Sequence, residues 1–154
     1  MLEGIKTIVF DLGGTLKIEG IGDWYWHHDY TEINRLAKDY KIVIACNQPH
    51  KAKEFIEESE IGEAVSAIYI SWDIHLHKPN PKFFMYFIND LHLKPEETAY
   101  VGNDFINDVA PAKNLKMKTI FVKRPIKLIF LKNLIGKILG IKPDYVVSTI
   151  KEIR

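Results

Sequence analysis

Cysteine is almost missing from this chain. Cys46 is alone in 154 residues, which excludes an internal disulfide and makes a reducing, cytoplasmic setting the expectation. Net charge is nearly absent too. Lys and Arg (21) balance Asp and Glu (20) to leave +1 at pH 7, so there is no overall pull toward nucleic acid or anionic lipid. Nucleic acid is therefore not an expected partner, and neither is a membrane; homo-oligomerisation stays open. No stretch after Met1 resembles a signal peptide or an apolar span. Glutamine occurs once while Lys, Ile and Glu abound, a bias that fits either a thermophilic source or an AT-rich genome. Internal repeats, low-complexity stretches and Pro/Gly/Ser-rich linkers are lacking, so residues 1–154 read as one domain.

What is present is apolar and periodic. Hydrophobic residues make up 47% of the chain, enough for a sizeable core. Short β-branched runs at 6–10, 41–46, 67–71, 98–101, 118–122 and 145–147 predict five or six strands. Between them, 30–40, 49–59, 81–91, 105–114 and 126–139 carry apolar residues at three- and four-residue steps and predict helices. Strand and helix alternating through short links imply an α/β fold, a three-layer sandwich with a mostly parallel, Rossmann-like sheet. Ligands of such sheets bind beyond the carboxyl ends of the strands, where Asp11, Asn47 and Gly102 fall.

Three segments concentrate chemistry there: Asp11-Leu12-Gly13-Gly14-Thr15-Leu16, Lys78-Pro79-Asn80-Pro81 and Gly102-Asn103-Asp104-Phe105-Ile106-Asn107-Asp108. A carboxylate leaving a strand can attack phosphorus, and Gly13 and Gly14 let backbone N–H groups approach phosphate oxygens. Thr15 adds a hydroxyl donor. Asp108, with Asn103 or Asp104, offers the hard oxygen ligands that Mg²⁺ prefers. Lys78 supplies positive charge, and charge neutralisation is most of what phosphoryl transfer asks of a protein. Plainer readings stand beside these. Asp11 before Gly-Gly is also a turn former, Lys78 a helix-entry lysine, Asn103 or Asp104 a helix cap, and Asp108 an acid in the first turn of its helix.

Order, spacing and context of these residues resemble the haloacid dehalogenase (HAD) superfamily over nearly the whole chain. Val9-Phe10-Asp11-Leu12-Gly13-Gly14-Thr15-Leu16 is similar to its first motif, Ile42-Val43-Ile44-Ala45-Cys46-Asn47 to the second, Lys78-Pro79-Asn80-Pro81 to the third, and Tyr100-Val101-Gly102-Asn103-Asp104-Phe105-Ile106-Asn107-Asp108-Val109 to the fourth. The resemblance implies a Mg²⁺-dependent phosphatase acting on a phosphorylated substrate. Asp11 would be the nucleophile, which also binds the metal, the Gly13 carbonyl a metal ligand, Asn47 a loop residue, Lys78 the orienting cation and Asp108 a Mg²⁺ ligand. With only about two dozen residues between Leu16 and the next strand, it also implies a capless member with an open site for bulky phosphates.

The departures are specific. Where the family's phosphatases carry a second Asp as general acid and base, this chain has Gly13; Cys46 stands in place of the Ser or Thr that holds a phosphate oxygen, and Asn103 in place of an Asp. Two readings follow: an impaired phosphoryl-transfer hydrolase, or a catalytically degraded binding or assembly module. The second would use a basic amphipathic helix near 126–139. From Val109 to Pro143 there is no acidic residue, while Lys113, Lys116, Lys118, Lys123, Arg124, Lys127, Lys132, Lys137 and Lys142 accumulate. On a helical wheel Leu128, Phe130, Leu131, Leu134, Ile135, Ile138 and Leu139 share one side and Lys132, Asn133, Gly136 and Lys137 the other. The expectation is that the apolar side covers a sheet edge or a dimer contact. Histidines 27, 28, 75 and 77 read as surface or loop residues, and Trp24, Tyr25 and Trp26 as a small flap packed on the domain.

Overall fold

In a computed structural model describing residues 1–18, 25–124 and 130–154, six strands form one parallel sheet. They are β1 (Thr7–Phe10), β4 (Lys41–Cys46), β5 (Ala67–Ile70), β6 (Thr98–Gly102), β7 (Lys118–Val122) and β8 (Tyr145–Val147), ordered β5-β4-β1-β6-β7-β8. Each expected run forms a strand. Alternate residues of a strand point to opposite faces, and both faces here are covered. Ile8, Phe10, Ile42 and Ile44 enter one core with Leu12, Leu36, Ile56 and Ile150, whereas Val9, Val43 and Tyr100 enter another with Phe83, Phe84 and Phe87.

Strand order decides where the site lies. From β1 the chain moves outward through β4 and β5, then returns to lay β6 against the other side of β1, with Ile8 opposite both Ile42 and Ala99. The crossovers diverge at the carboxyl end of β1 and open a crevice there, the switch point at which α/β sheets bind ligands. Asp11 is the first residue past that end.

The helices are shorter than their periodicity suggests. α1 (Glu32–Leu36) and α2 (Lys51–Glu57) lie inside the expected 30–40 and 49–59, the flanking residues forming turns. α3 (Ser71–Ile74) is a single turn with no sequence signal, and α4 (Pro81–Asp90) starts with Asn80 accepting a bond from the Lys82 N–H and with Pro81 at its first position. α4 buries Phe83, Phe84, Phe87 and Ile88; removing one such phenyl ring costs about 3–5 kcal/mol. The expected helix at 105–114 divides into a π-helical turn, Phe105–Val109, and α5 (Ala110–Asn114).

Two features depart further from expectation. The short strands β2 (Lys17–Ile18) and β3 (Tyr25–Trp26) form an antiparallel ribbon with no strand-like pattern in the sequence. Its Trp26 stacks on Tyr30 and Phe55 at 4.6 and 4.4 Å, so this part of the flap is packed down, while Tyr25 is exposed; Trp24 lies outside the described residues. In the last helix, α6 (Phe130–Ile138), the described apolar side chains do not cover a sheet edge, the first of the two expected uses of that side. Gly136 is buried against Phe105 and Asn133 bonds the loop after β6, while Leu134, Ile135, Ile138 and Leu139 face outward. Polar anchoring to that loop overrides the apolar moment. The remainder of the expected helix, 126–129, lies outside the described residues.

Candidate active site

Asp11, Lys78 and Asp108, separated by up to 97 residues of sequence, meet beyond the carboxyl end of β1. The Lys78 ammonium donates to Asp11 Oδ1 at 2.7 Å, to Asp108 Oδ1 at 2.6 Å and to the Tyr100 hydroxyl at 3.1 Å. Its three protons are thereby all engaged. All three charged groups are buried. Burial alone would lower the Lys78 pKa, but the carboxylates of Asp108 and Asp11 outweigh it and raise the ammonium well above its ordinary range. For Asp108 the balance goes the other way. Burial, with the negative charges of Asp11 and Asp104, overcomes the attraction of Lys78 and pushes the carboxyl up from 3.8 to about 7. Two carboxylates around one ammonium leave the cluster short of positive charge.

Each member is set by its local chain. Gly14 takes a positive φ of 75°, the left-handed conformation glycine tolerates, and its N–H reaches the Lys17 carbonyl at 2.7 Å, turning the loop after Asp11 back on itself. This places the Thr15 hydroxyl 3.0 Å from Asp11 Oδ2 and 3.2 Å from Asn103 Oδ1. Gly13 lies in the same loop, half-buried, and bridges to Lys17. Asn47, just past β4, holds the lysine loop by its amide, accepting from the Lys78 N–H at 2.8 Å and donating to the Lys78 carbonyl at 2.9 Å. Its neighbour Cys46 is wholly buried in the apolar core, and burial pushes its thiol pKa up.

The π-helical turn aims Asp108. Asp104 accepts from the N–H groups of Ile106 and Asn107 through Oδ1 and from the Asn107 amide through Oδ2, capping the turn. Asp108 then points back, its Oδ2 accepting from the N–H groups of Asn103 and Asp104 at 3.1 and 3.0 Å. A side chain at Gly102 would overlap that carboxylate, so glycine there is a packing requirement. Of the residues singled out in the sequence, Asp11, Thr15, Lys78, Asn103 and Asp108 thus join one hydrogen-bonded cluster. Asn47 supports it, Gly13 and Gly14 shape the loop beside it, Asp104 braces its turn, and Cys46 packs in the core. His28, His75 and His77 are exposed, while His27 has its Nε2 buried without a hydrogen-bond partner; that burial lowers its pKa to about 4.

The chain matches the family model for haloacid dehalogenase-like hydrolase over residues 30–122, more than half its length and including both Lys78 and Asp108. It belongs to that family. Among curated members, it is 26% identical over 113 residues to phospholysine phosphohistidine inorganic pyrophosphate phosphatase of Xenopus laevis, covering 67% of this chain and 42% of the relative. It is 33% identical over 81 residues to glyceraldehyde 3-phosphate phosphatase of Pyrococcus furiosus, covering 53% of this chain and 34% of the relative. The chain thus spans less than half the length of these relatives. A HAD phosphatase structure from Thermococcus onnurineus shares the fold with a TM-score of 0.76 and 17% identity, over 97% of this chain and 96% of that one.

Four functional neighbours escape sequence reasoning. Tyr100 reads as one more apolar strand residue, yet its hydroxyl donates to the Ala45 carbonyl at 3.0 Å and accepts from Lys78. Asn133 reads as part of a helix's polar side, yet it donates to the Asn103 carbonyl and accepts from the Phe105 N–H, both at 3.1 Å. Asp29 and Arg124 form a buried ion pair at 2.7 Å, Arg124 Nη2 also donating to the Thr15 carbonyl at 3.0 Å and Asp29 accepting from Thr149 and the Ile150 N–H. That pair ties the Asp11–Thr15 loop to the C-terminal segment. Nothing local in the sequence marks residues 95 positions apart as partners.

Proposed function

We infer that this HAD-family chain is a Mg²⁺-dependent phosphoryl-transfer hydrolase that works through a phosphorylated Asp11 and handles poorly those substrates whose leaving group must be protonated. The observation that carries this reading is the buried Asp11–Lys78–Asp108 cluster at the sheet's switch point. The phosphatase names of the relatives support the substrate class.

The donor set suits a hard divalent cation. Two buried carboxylates outnumber one ammonium, and the raised pKa of Asp108 marks a place where added positive charge is favoured. Asp11 and Asp108 would hold the ion, with Asn103 and the Gly13 carbonyl as neutral oxygen donors. Among the described residues no three His, Cys, Asp or Glu side chains form a metal-holding group, so water would complete the shell, as Mg²⁺ commonly retains it. When bound, Mg²⁺ supplies charge neutralisation for the phosphate oxygens.

The protein's own residues then have distinct tasks. Asp11 Oδ attacks phosphorus and the bond to the leaving oxygen breaks, leaving the phosphoryl group on the carboxylate. Lys78 holds Asp11 in place and offsets negative charge, and Asn47 fixes the lysine loop. Gly13 has no proton to give. An acyl phosphate departs as a carboxylate and needs none, whereas an alkoxide departs slowly without one. General acid catalysis is worth about 10²–10⁴ in rate, and the same missing carboxylate slows attack of water on the phosphoenzyme.

Incubation with acetyl phosphate and Mg²⁺, followed by intact mass, should reveal a chain heavier by one phosphoryl group, with none on Asp11→Asn. Gly13→Asp should raise alkyl phosphate turnover by about 10²–10⁴. An unmodified wild type, together with no gain from Gly13→Asp, would overturn the enzymatic reading and favour a degraded binding module.

A further inference from the structure

α6 is docked by its polar side. Asn133 and Gly136 face the loop that carries Asn103 and Phe105, which leaves Leu134, Ile135, Ile138 and Leu139 as an apolar ridge 42–74% exposed to solvent. Exposed Lys137 is on the same helix and exposed Lys142 follows its last turn, where the Ile141 N–H reaches the Gly136 carbonyl; none of the ion pairs among the described residues uses either lysine. No acidic residue occurs anywhere from Val109 to Pro143. A surface that is apolar along one ridge and cationic around it suits an occupant that is apolar and anionic at once.

We propose that this face of α6 is a docking surface for an anionic lipid bilayer, with Ile138 and Leu139 entering the interface and the lysines meeting the headgroups. A second copy of this chain suits it less well, because a two-fold contact would set the same patch on itself and bring lysine against lysine. The attachment is peripheral: no described helix is long and apolar enough to cross a membrane, and a basic amphipathic helix lies in the interfacial plane. The chain's near-zero net charge hides the surface, since the charge asymmetry is regional. Because Asn133 joins α6 to the carbonyl of Asn103, docking brings the strand ends that carry Asp11 and Asp108 close to the bilayer. This inference does not rest on the catalytic reading, and its test requires no activity.

The full chain is sedimented with vesicles of equimolar phosphatidylglycerol and phosphatidylcholine, and with vesicles of phosphatidylcholine alone. The expected result is binding to the anionic vesicles only, weakened by salt. Lys137→Gln and Lys142→Gln should each lower the partition coefficient about fivefold, the worth of one lysine near an anionic surface. Ile138→Asp should lower it about tenfold or more, with the melting temperature unchanged because that side chain is exposed. Equal binding to both vesicle types, or none to either, overturns the proposal. A dimer seen by light scattering that Ile138→Asp dissociates, without vesicle binding, assigns the face to self-association instead.

Discussion

Asp108→Asn isolates the electrostatic cost of the buried cluster. The Asp108 carboxyl is 1% exposed and titrates at about 7 rather than its ordinary 3.8. The folded chain therefore binds this proton more tightly than the unfolded chain does. Between about pH 4 and 7 the unfolded state holds fewer protons at this position, so the contribution of Asp108 to stability falls as pH rises through that window. At about 1.4 kcal/mol per pH unit, the destabilisation once Asp108 is ionised is on the order of a few kcal/mol. Asparagine is neutral like the protonated acid and cannot ionise: its oxygen can keep the N–H groups of Asn103 and Asp104, while its Nδ2 takes the place of the oxygen that accepts from Lys78, a loss that does not vary with pH between 4 and 8. In EDTA, urea unfolding of both proteins across pH 4–8 should show their stability difference rising in favour of the variant, by on the order of a few kcal/mol. Taking the difference removes His27, whose depressed pKa of about 4 acts oppositely, adding stability as pH rises to its ordinary 6.5. Mg²⁺ at neutral pH should stabilise the wild type and leave the variant nearly unchanged. A difference that stays flat with pH, or that turns against the variant as pH rises, would refute the premise that the cluster is short of positive charge.

Other perturbations test the supports of the site. Asp29→Ala should cost about 3–5 kcal/mol in urea unfolding, because it leaves the Arg124 guanidinium, 4% exposed, buried without its carboxylate. In the wild type Asp29 titrates at about 2, held down by Arg124, Thr149 and Ile150 against the opposing effect of burial; its stabilisation is present above its ordinary 3.8 and lost as pH falls toward 2. Absence of that acid-side loss, measured as wild type against variant, would count against the pair. Gly102→Ala should displace the Asp108 carboxylate, lower stability by about 1–3 kcal/mol and reduce labelling by acetyl phosphate, read by calorimetry and intact mass; a fully labelled, fully stable variant would contradict the packing around Asp108.

The sheet was legible in the sequence because its information is local. A strand buried on both faces needs a short β-branched run and little else, and all six runs that carry one form strands. The residues of the cluster were legible for a related reason. Asp11, Asn47 and Gly102 follow such runs directly, and the carboxyl ends of parallel strands all open on one edge of the sheet. Strand order, the three-way bonding of Lys78, the Tyr100 hydroxyl beneath it and the Asp29–Arg124 pair were decided only in three dimensions, because each depends on contacts between residues far apart in the chain. The same holds for α6. Its sequence sets which residues share a side, but which side turns inward was settled by the Asn133 bonds and by the fit of Gly136 against Phe105, both of which need the loop after β6 to be in place first.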